Sequence, residues 1–276
     1  GNGAKFKNIK GIFMKYILAF IFVVAVALGG AFLYFYSQVR FDAYTIIDYK
    51  PKLATQIFDR NNELIANIFE ENRIYVKYND IPPRVIEALV AIEDTSYFEH
   101  GGINVEAMAR AAIKDIKARK LVEGASTLTQ QLIKNLALSR EKKFTRKIKE
   151  VVLAMKLESE LSKEDIIERY LNHVYFGHGY YGIKTAAEGY FRKELNELSI
   201  KEIAMLVGMP KAPSTYDPTK HLDLSLSRAN RVLERMYSIG WINEDEYRKG
   251  VLEEPAVFDD TLTRNKAPYV VDEIIK

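Results

Sequence analysis

Between Tyr16 and Tyr36 the chain carries no charged residue, only Ile, Leu, Ala, Phe, Val, Gly and Tyr. As a helix, about 20 apolar residues cross a hydrocarbon core roughly 30 Å thick. Tyr16, Tyr34 and Tyr36 fall where an aromatic belt would lie. Lys5, Lys7, Lys10 and Lys15 precede the run, and Arg40 and Asp42 follow it. The positive-inside rule then predicts a cytoplasmic N-terminus, with everything after the run outside. A cleavable signal peptide has an apolar core of only about 7–15 residues, so this longer run reads as an uncleaved anchor.

The 276 residues suffice for one main domain with appendages. A formal charge of +3 gives no surplus that calls for nucleic acid. Cysteine is absent, which excludes disulfides and thiolate metal sites. After the anchor, residues 55–59 and 64–69 flank Arg60-Asn61-Asn62-Glu63 in a hairpin pattern. Beyond Pro82-Pro83 the pattern is helical. Helices are predicted over 84–96, 104–119, 127–138, 144–161, 163–172, 183–191, 199–208, 224–239 and 244–250. Ser162 with Asp165, Ser199 with Glu202, and Asn243 with Glu246 mark three starts, and Gly240 marks a stop. No internal repeat is visible.

The richest stretch runs from Gly124 to Asn135. Thr127 and Gln130 read as a capping box that opens a helix. Leu128, Leu132, Ile133 and Leu136 take one side; Thr127, Gln131 and Lys134 share the other. Hydroxyl, amide and ammonium beside a glycine turn can hold an anionic, sugar-like ligand, although such a stripe is also what a solvated face looks like. Glu93 shares a stripe with Ile86, Leu89 and Val90, where desolvation would suit a proton acceptor. Asp94 and His100 follow it, and could equally be a polar helix end. Glu150 lies among Lys143, Arg146 and Lys147. It is either half of an ordinary Arg146–Glu150 surface pair or a carboxylate in a cluster built for a diphosphate. The glycine-rich run from Tyr175 to Gly182 permits positive φ, and its aromatics pack the loop or stack on sugars. No GxGxxG, P-loop or serine nucleophile elbow is present.

Together these motifs resemble glycosyltransferase family 51, the peptidoglycan glycosyltransferases. Glu93-Asp94 through His100 to Gly102 resembles E-D-x-x-F-x-x-H-x-G, and Gly124 to Asn135 resembles G-x-S-T-x-T-Q-Q-x-x-K-N, with Ser126 in place. Arg146 to Glu150 resembles R-K-x-x-E; Tyr170-Leu171-Asn172 through Phe191 and Ala204 to Pro218 resemble the last two blocks. Two positions depart: Tyr97 stands where the family usually has Phe, and Arg192 where a Gly often follows Tyr-Phe.

The resemblance implies a mainly α, lysozyme-like glycosyltransferase domain with a short N-terminal β-hairpin and one transmembrane helix. The expected division is a tail over 1–15, the span over 16–36, a juxtamembrane linker over 37–54 and the glycosyltransferase domain over 55–250. Residues 251–276 would begin a linker to a transpeptidase domain, since Ala267 to Asp272 resembles the one in class A penicillin-binding proteins. The chain would be the N-terminal half of such a bifunctional enzyme.

The resemblance further implies polymerisation of lipid II into β-1,4-linked strands, with inversion, at the bacterial inner membrane among other cell-wall synthesis proteins. Glu93 would deprotonate the acceptor 4-hydroxyl, supported by Asp94. Glu150 would organise the donor diphosphate, directly or through a divalent cation such as Mg or Mn. Lys134, Arg146 and Lys147 would neutralise the leaving group. Asp94, His100, Ser126, Thr127, Gln131, Asn135, Tyr170 and Asn172 would complete the substrate site, and moenomycin sensitivity is implied as well. Ile103, Val105, Met108, Ile113 and Ile116 form either a membrane-dipping segment or ordinary core. Two rivals remain: a lysozyme-like muramidase built on the same two carboxylates, and a non-catalytic anchored scaffold.

Overall fold

The structure is a computed structural model that describes residues 2–38, 47, 55–58, 64–68, 72–118, 124–136 and 143–259. Most of the 37–54 linker, the turn of the expected hairpin, and the stretch from Ala267 to Asp272 lie outside the described residues. Helix α1 (Asn2–Gln38) contains an apolar span, Met14–Tyr34, of mean hydropathy 2.6 and no burial. It is long and apolar enough to cross a membrane. Strands β1 (Thr55–Phe58) and β2 (Leu64–Ile68) pair antiparallel, with an irregularity between Ile57 and Phe58. A second, parallel pair joins β3 (Asn72–Arg73) to β4 (Tyr180–Tyr181), which no sequence signal announced.

The remainder is helical, as expected: α2 (Pro83–Glu93), α3 (Val105–Ala118), α4 (Leu128–Leu136), α5 (Lys143–Glu160), α6 (Lys163–His173), α7 (Ile183–Phe191), α8 (Ile200–Gly208), α9 (Leu222–Ser238) and α10 (Glu244–Leu252). All three marked starts form reciprocal capping boxes. Thr127 and Gln130 do the same at α4, with bonds of 2.9 and 3.2 Å. Each such cap satisfies helix-end amides and contributes about 0.5–2 kcal/mol.

Two groups of helices meet along a cleft. In one, α8 is buried on nearly every side, as a helix apolar all round must be. It packs between α2 and α9, whose Val85, Ala88, Leu89, Ala229, Val232 and Leu233 are fully buried. In the other, Leu128, Leu132 and Ile133 of α4 pack on α5 and α6. Arg192 ends α7 at φ 54, in the left-handed region where glycine is favoured. Its guanidinium lies 4.1 Å over the Phe258 ring, an attraction that offsets part of that strain.

One expectation needs revision, and the choice left open for α3 narrows. Helix α2 stops at Glu93 rather than at 96, because Asp94 takes φ −160 and ψ 75. Helix α3 is not core: only its Ala111 is buried, while Val105, Met108, Ile113 and Ile116 are exposed.

Candidate active site

A cleft of about 480 Å³ opens between the two helix groups. Glu93, at the last turn of α2, enters from one side, and Arg228 of α9 and Lys211 flank it. The opposite wall carries Ser126, then Gln131, Lys134 and Asn135 of α4, Arg146, Lys147 and Glu150 of α5, and Tyr170 of α6. Five cationic side chains therefore face two carboxylates, an electrostatic setting suited to a multiply charged anion. A second cavity of about 410 Å³ shares Lys134, Asn135 and Arg146 with the first and adds His173, Tyr175 and Tyr181.

The Glu93 carboxylate does not sit bare on an apolar stripe. Its Oε2 accepts from Gln131 Nε2 at 2.9 Å, and Arg228 Nη2 stands 3.6 Å from Oε1. That Oε1 is buried and accepts no hydrogen bond. Gln131 is oriented from behind: the Tyr170 hydroxyl donates to its Oε1 at 3.3 Å. Full burial, with a smaller contribution from Glu93, pushes the Tyr170 phenol well above its usual range, so it stays a donor. A chain of contacts thus fixes one oxygen of Glu93, while the other is buried beside Arg228 and accepts no hydrogen bond.

Arg228 and Lys211 are site residues that the sequence did not suggest. Helix α9 reads as an amphipathic surface helix, yet Arg228 is buried and its Nε donates to the Gly208 carbonyl at 3.3 Å. A Cβ at position 208 would lie 2.8 Å from Arg228 Cγ, so the glycine clears the path of this side chain.

Glu150 is 3% exposed and pairs with Lys147 at 2.7 Å, not with Arg146. Lys147 also donates to Ser126 Oγ at 2.8 Å and so joins α5 to the segment before α4. No group of three or more His, Asp or Glu side chains suited to a metal occurs among the described residues. Glu150 is the one carboxylate on this basic wall and is held by the Lys147 ammonium.

Four expected substrate contacts are turned away from the cleft. Both Asp94 oxygens lie 2.9 Å from His100 Nε2, and Oδ2 also accepts the Leu128 amide at 3.1 Å. Thr127 is buried, with Oγ1 donating to the Gly102 carbonyl at 2.7 Å. Gly102 has φ +89, and a Cβ there would stand 2.5 Å from the Ala154 carbonyl oxygen. Asn172 is fully buried and bonds both the amide and the carbonyl of Val76. These residues tie segments together: Thr127 and Asn172 through backbone partners, and Asp94 through His100 and the Leu128 amide.

Residues 61–237 match the family described as Transglycosylase. The chain belongs to the transglycosylase family. It is 43% identical over 214 residues to penicillin-binding protein 1F of Bacillus subtilis, covering 76% of this chain and 30% of that protein. To penicillin-binding protein 1A of Aquifex aeolicus it is 44% identical over 201 residues, covering 73% and 28%. The penicillin-binding protein 1A of Escherichia coli is 39% identical over 240 residues, covering 85% and 28%. This transglycosylase chain thus spans about three tenths of the length of these relatives.

Proposed function

We propose that this chain is a membrane-anchored peptidoglycan glycosyltransferase that polymerises lipid II, releasing undecaprenyl diphosphate. The carrying observation is the cleft's make-up: Glu93, with one oxygen that accepts no hydrogen bond, faces a wall that carries Lys134, Arg146 and Lys147. In this reading Glu93 Oε1 takes the proton from the acceptor 4-hydroxyl while that oxygen attacks the donor anomeric carbon from the face opposite the leaving group. The bond from that carbon to the diphosphate oxygen breaks, giving inversion and a β-1,4 link. Lys134, Arg146 and Lys147 offset the negative charge gathering on the diphosphate, a contribution made where charge develops. Ser126 and Asn135 line the same wall and are assigned to diphosphate or sugar oxygens.

The apolar span of α1 supports a single-pass anchor in the bacterial inner membrane, and the basic flank supports a cytoplasmic N-terminus. The exposed face of α3 supports the membrane-dipping reading of that helix. A muramidase would have no diphosphate to neutralise, which the cationic wall speaks against.

The test is incubation of the detergent-solubilised chain with labelled lipid II and gel analysis before and after muramidase digestion. A muramidase-sensitive ladder, absent for Glu93→Gln, is expected. Hydrolysis of lipid-free peptidoglycan would favour the muramidase, and unchanged lipid II with folded protein would favour a scaffold.

A further inference from the structure

We propose that Asp259, acting through His178, positions the aromatic hairpin that walls the second cavity of the active site. This rests on the reaction assigned above, since that cavity shares Lys134, Asn135 and Arg146 with the cleft. Tyr175 and Tyr181 both line it. They face each other across an isolated antiparallel bridge, with ring centroids 4.8 Å apart. Between them the chain reverses: the Phe176 amide donates to the Tyr180 carbonyl, and the Tyr180 amide to the Gly177 carbonyl. Gly177, His178 and Gly179 take φ of 79, 53 and 75 in succession. For His178 alone of the three that region is sterically strained, and such strain persists where surrounding contacts over-determine it.

Two carboxylates hold His178, one from each side. Asp217 Oδ2 stands 3.6 Å from its Nδ1, and Asp259 Oδ1 stands 2.9 Å from its Nε2. Asp217 is buried, and its other oxygen accepts from the amide and the hydroxyl of Thr219, so it is a fixed point. Asp259 differs, because its side chain is 54% exposed and its own burial does not require it there.

The segment after α10 delivers Asp259. Helix α10 ends at Leu252, and Pro255 both bars its continuation and favours extended backbone at Glu254. From Glu253 to Val257 half-buried and exposed positions alternate, the period of an extended strap lying on a surface. The strap is fastened just before Asp259. The Phe258 amide donates to the Tyr190 carbonyl at 2.9 Å, and the Arg192 guanidinium covers the Phe258 ring. Tyr190 in turn donates its hydroxyl to the Phe176 carbonyl, at the base of the same hairpin.

The route from His178 to the cavity is one hydrogen bond long. The Gly179 amide, next in the chain, donates to the Tyr175 hydroxyl at 3.2 Å. A turn held by Asp259 aims that amide, and the amide fixes the Tyr175 ring as a wall of the cavity. Asp259 and His178 are therefore positioning residues. A sugar ring that enters finds the tyrosines already in place, so the contribution is to binding and is read in KM.

The experiment uses the full chain in detergent with lipid II, following polymerisation and, in parallel, hydrogen exchange of the peptide covering residues 175–182. Asp259→Ala should raise KM about threefold with kcat unchanged, the size expected of a half-exposed carboxylate contact. Exchange across the turn should rise in the same variant, and Asp259→Glu should restore both. Tyr175→Phe removes the acceptor of the Gly179 amide and should raise KM as well. Adding Asp259→Ala to it should raise KM no further, because the two act through one contact. A strap that serves only stability would lower the melting temperature of Asp259→Ala and leave KM alone. That result, unchanged exchange in Asp259→Ala, or a KM effect that adds in full to that of Tyr175→Phe would overturn the proposal. If the wild-type chain does not elongate lipid II, the reaction assigned above fails instead, and the exchange comparison decides whether the strap holds the hairpin.

Discussion

Glu93 and Asp94 are neighbours in the chain and carry the same functional group, yet the structure gives them opposite fates. Asp94 spends both oxygens on His100 and one also on the Leu128 amide, so it is committed to joining α2 to the start of α4. Glu93 has one oxygen held by Gln131 and the other buried beside Arg228, accepting no hydrogen bond. The difference comes from one break in the backbone, where Asp94 leaves the helix that Glu93 ends. A carboxylate available for proton transfer is one whose neighbours have been built to need only half of it.

Glu93→Gln set against Asp94→Ala breaks or sharpens this contrast most strongly. Glu93→Gln should lower turnover by about 10²- to 10⁴-fold with the melting temperature unchanged, since it removes the base and keeps the shape. Asp94→Ala should instead cost about 2–4 kcal/mol of stability, read from a denaturation curve, because it strands His100 and an α4 amide. A stable but inactive Asp94→Ala would show that the two acids share one role.

Tyr97 and Tyr170 extend the contrast beneath each acid. Tyr97, on the Asp94 side, donates its hydroxyl to the Lys163 carbonyl at 2.9 Å. Burial first, and then Glu158, pushes its phenol far above the usual range, as burial does for Tyr170. Both phenols stay neutral in the folded protein while the unfolded chain ionises at about pH 10. Their stabilisation is therefore complete below that pH and is lost as pH rises above it, by about 1.4 kcal/mol per pH unit for each tyrosine. Melting temperatures measured from pH 8 to 11 should fall at the alkaline end, less steeply in Tyr97→Phe. Smallest of all, Tyr170→Phe should lower turnover only a few-fold at neutral pH, since it frees Gln131 by one long hydrogen bond worth about 1 kcal/mol.

The family motifs were legible as residues, but not as roles. Thr127, Asp94, His100 and Asn172 stood in the motifs beside Glu93, Gln131 and Lys134, and nothing in their spacing separates a contact with substrate from a bond that holds two segments together. Position along the chain reports proximity within a helix turn; it does not report which partner a polar atom has already found. The same limit explains Glu150, whose partner is Lys147 at three residues rather than Arg146 at four.

By itself the sequence determined the apolar span, the helices and their caps, and the placement of Glu93 and Gln131 on usable faces, because periodicity and capping are local. Only the tertiary structure decided that Arg228 reaches Glu93, that Asp94 turns away from it, and that Lys147 bonds both Ser126 and Glu150. Those meetings depend on how separate helices pack, and packing is set by all of their buried faces together rather than by any one segment.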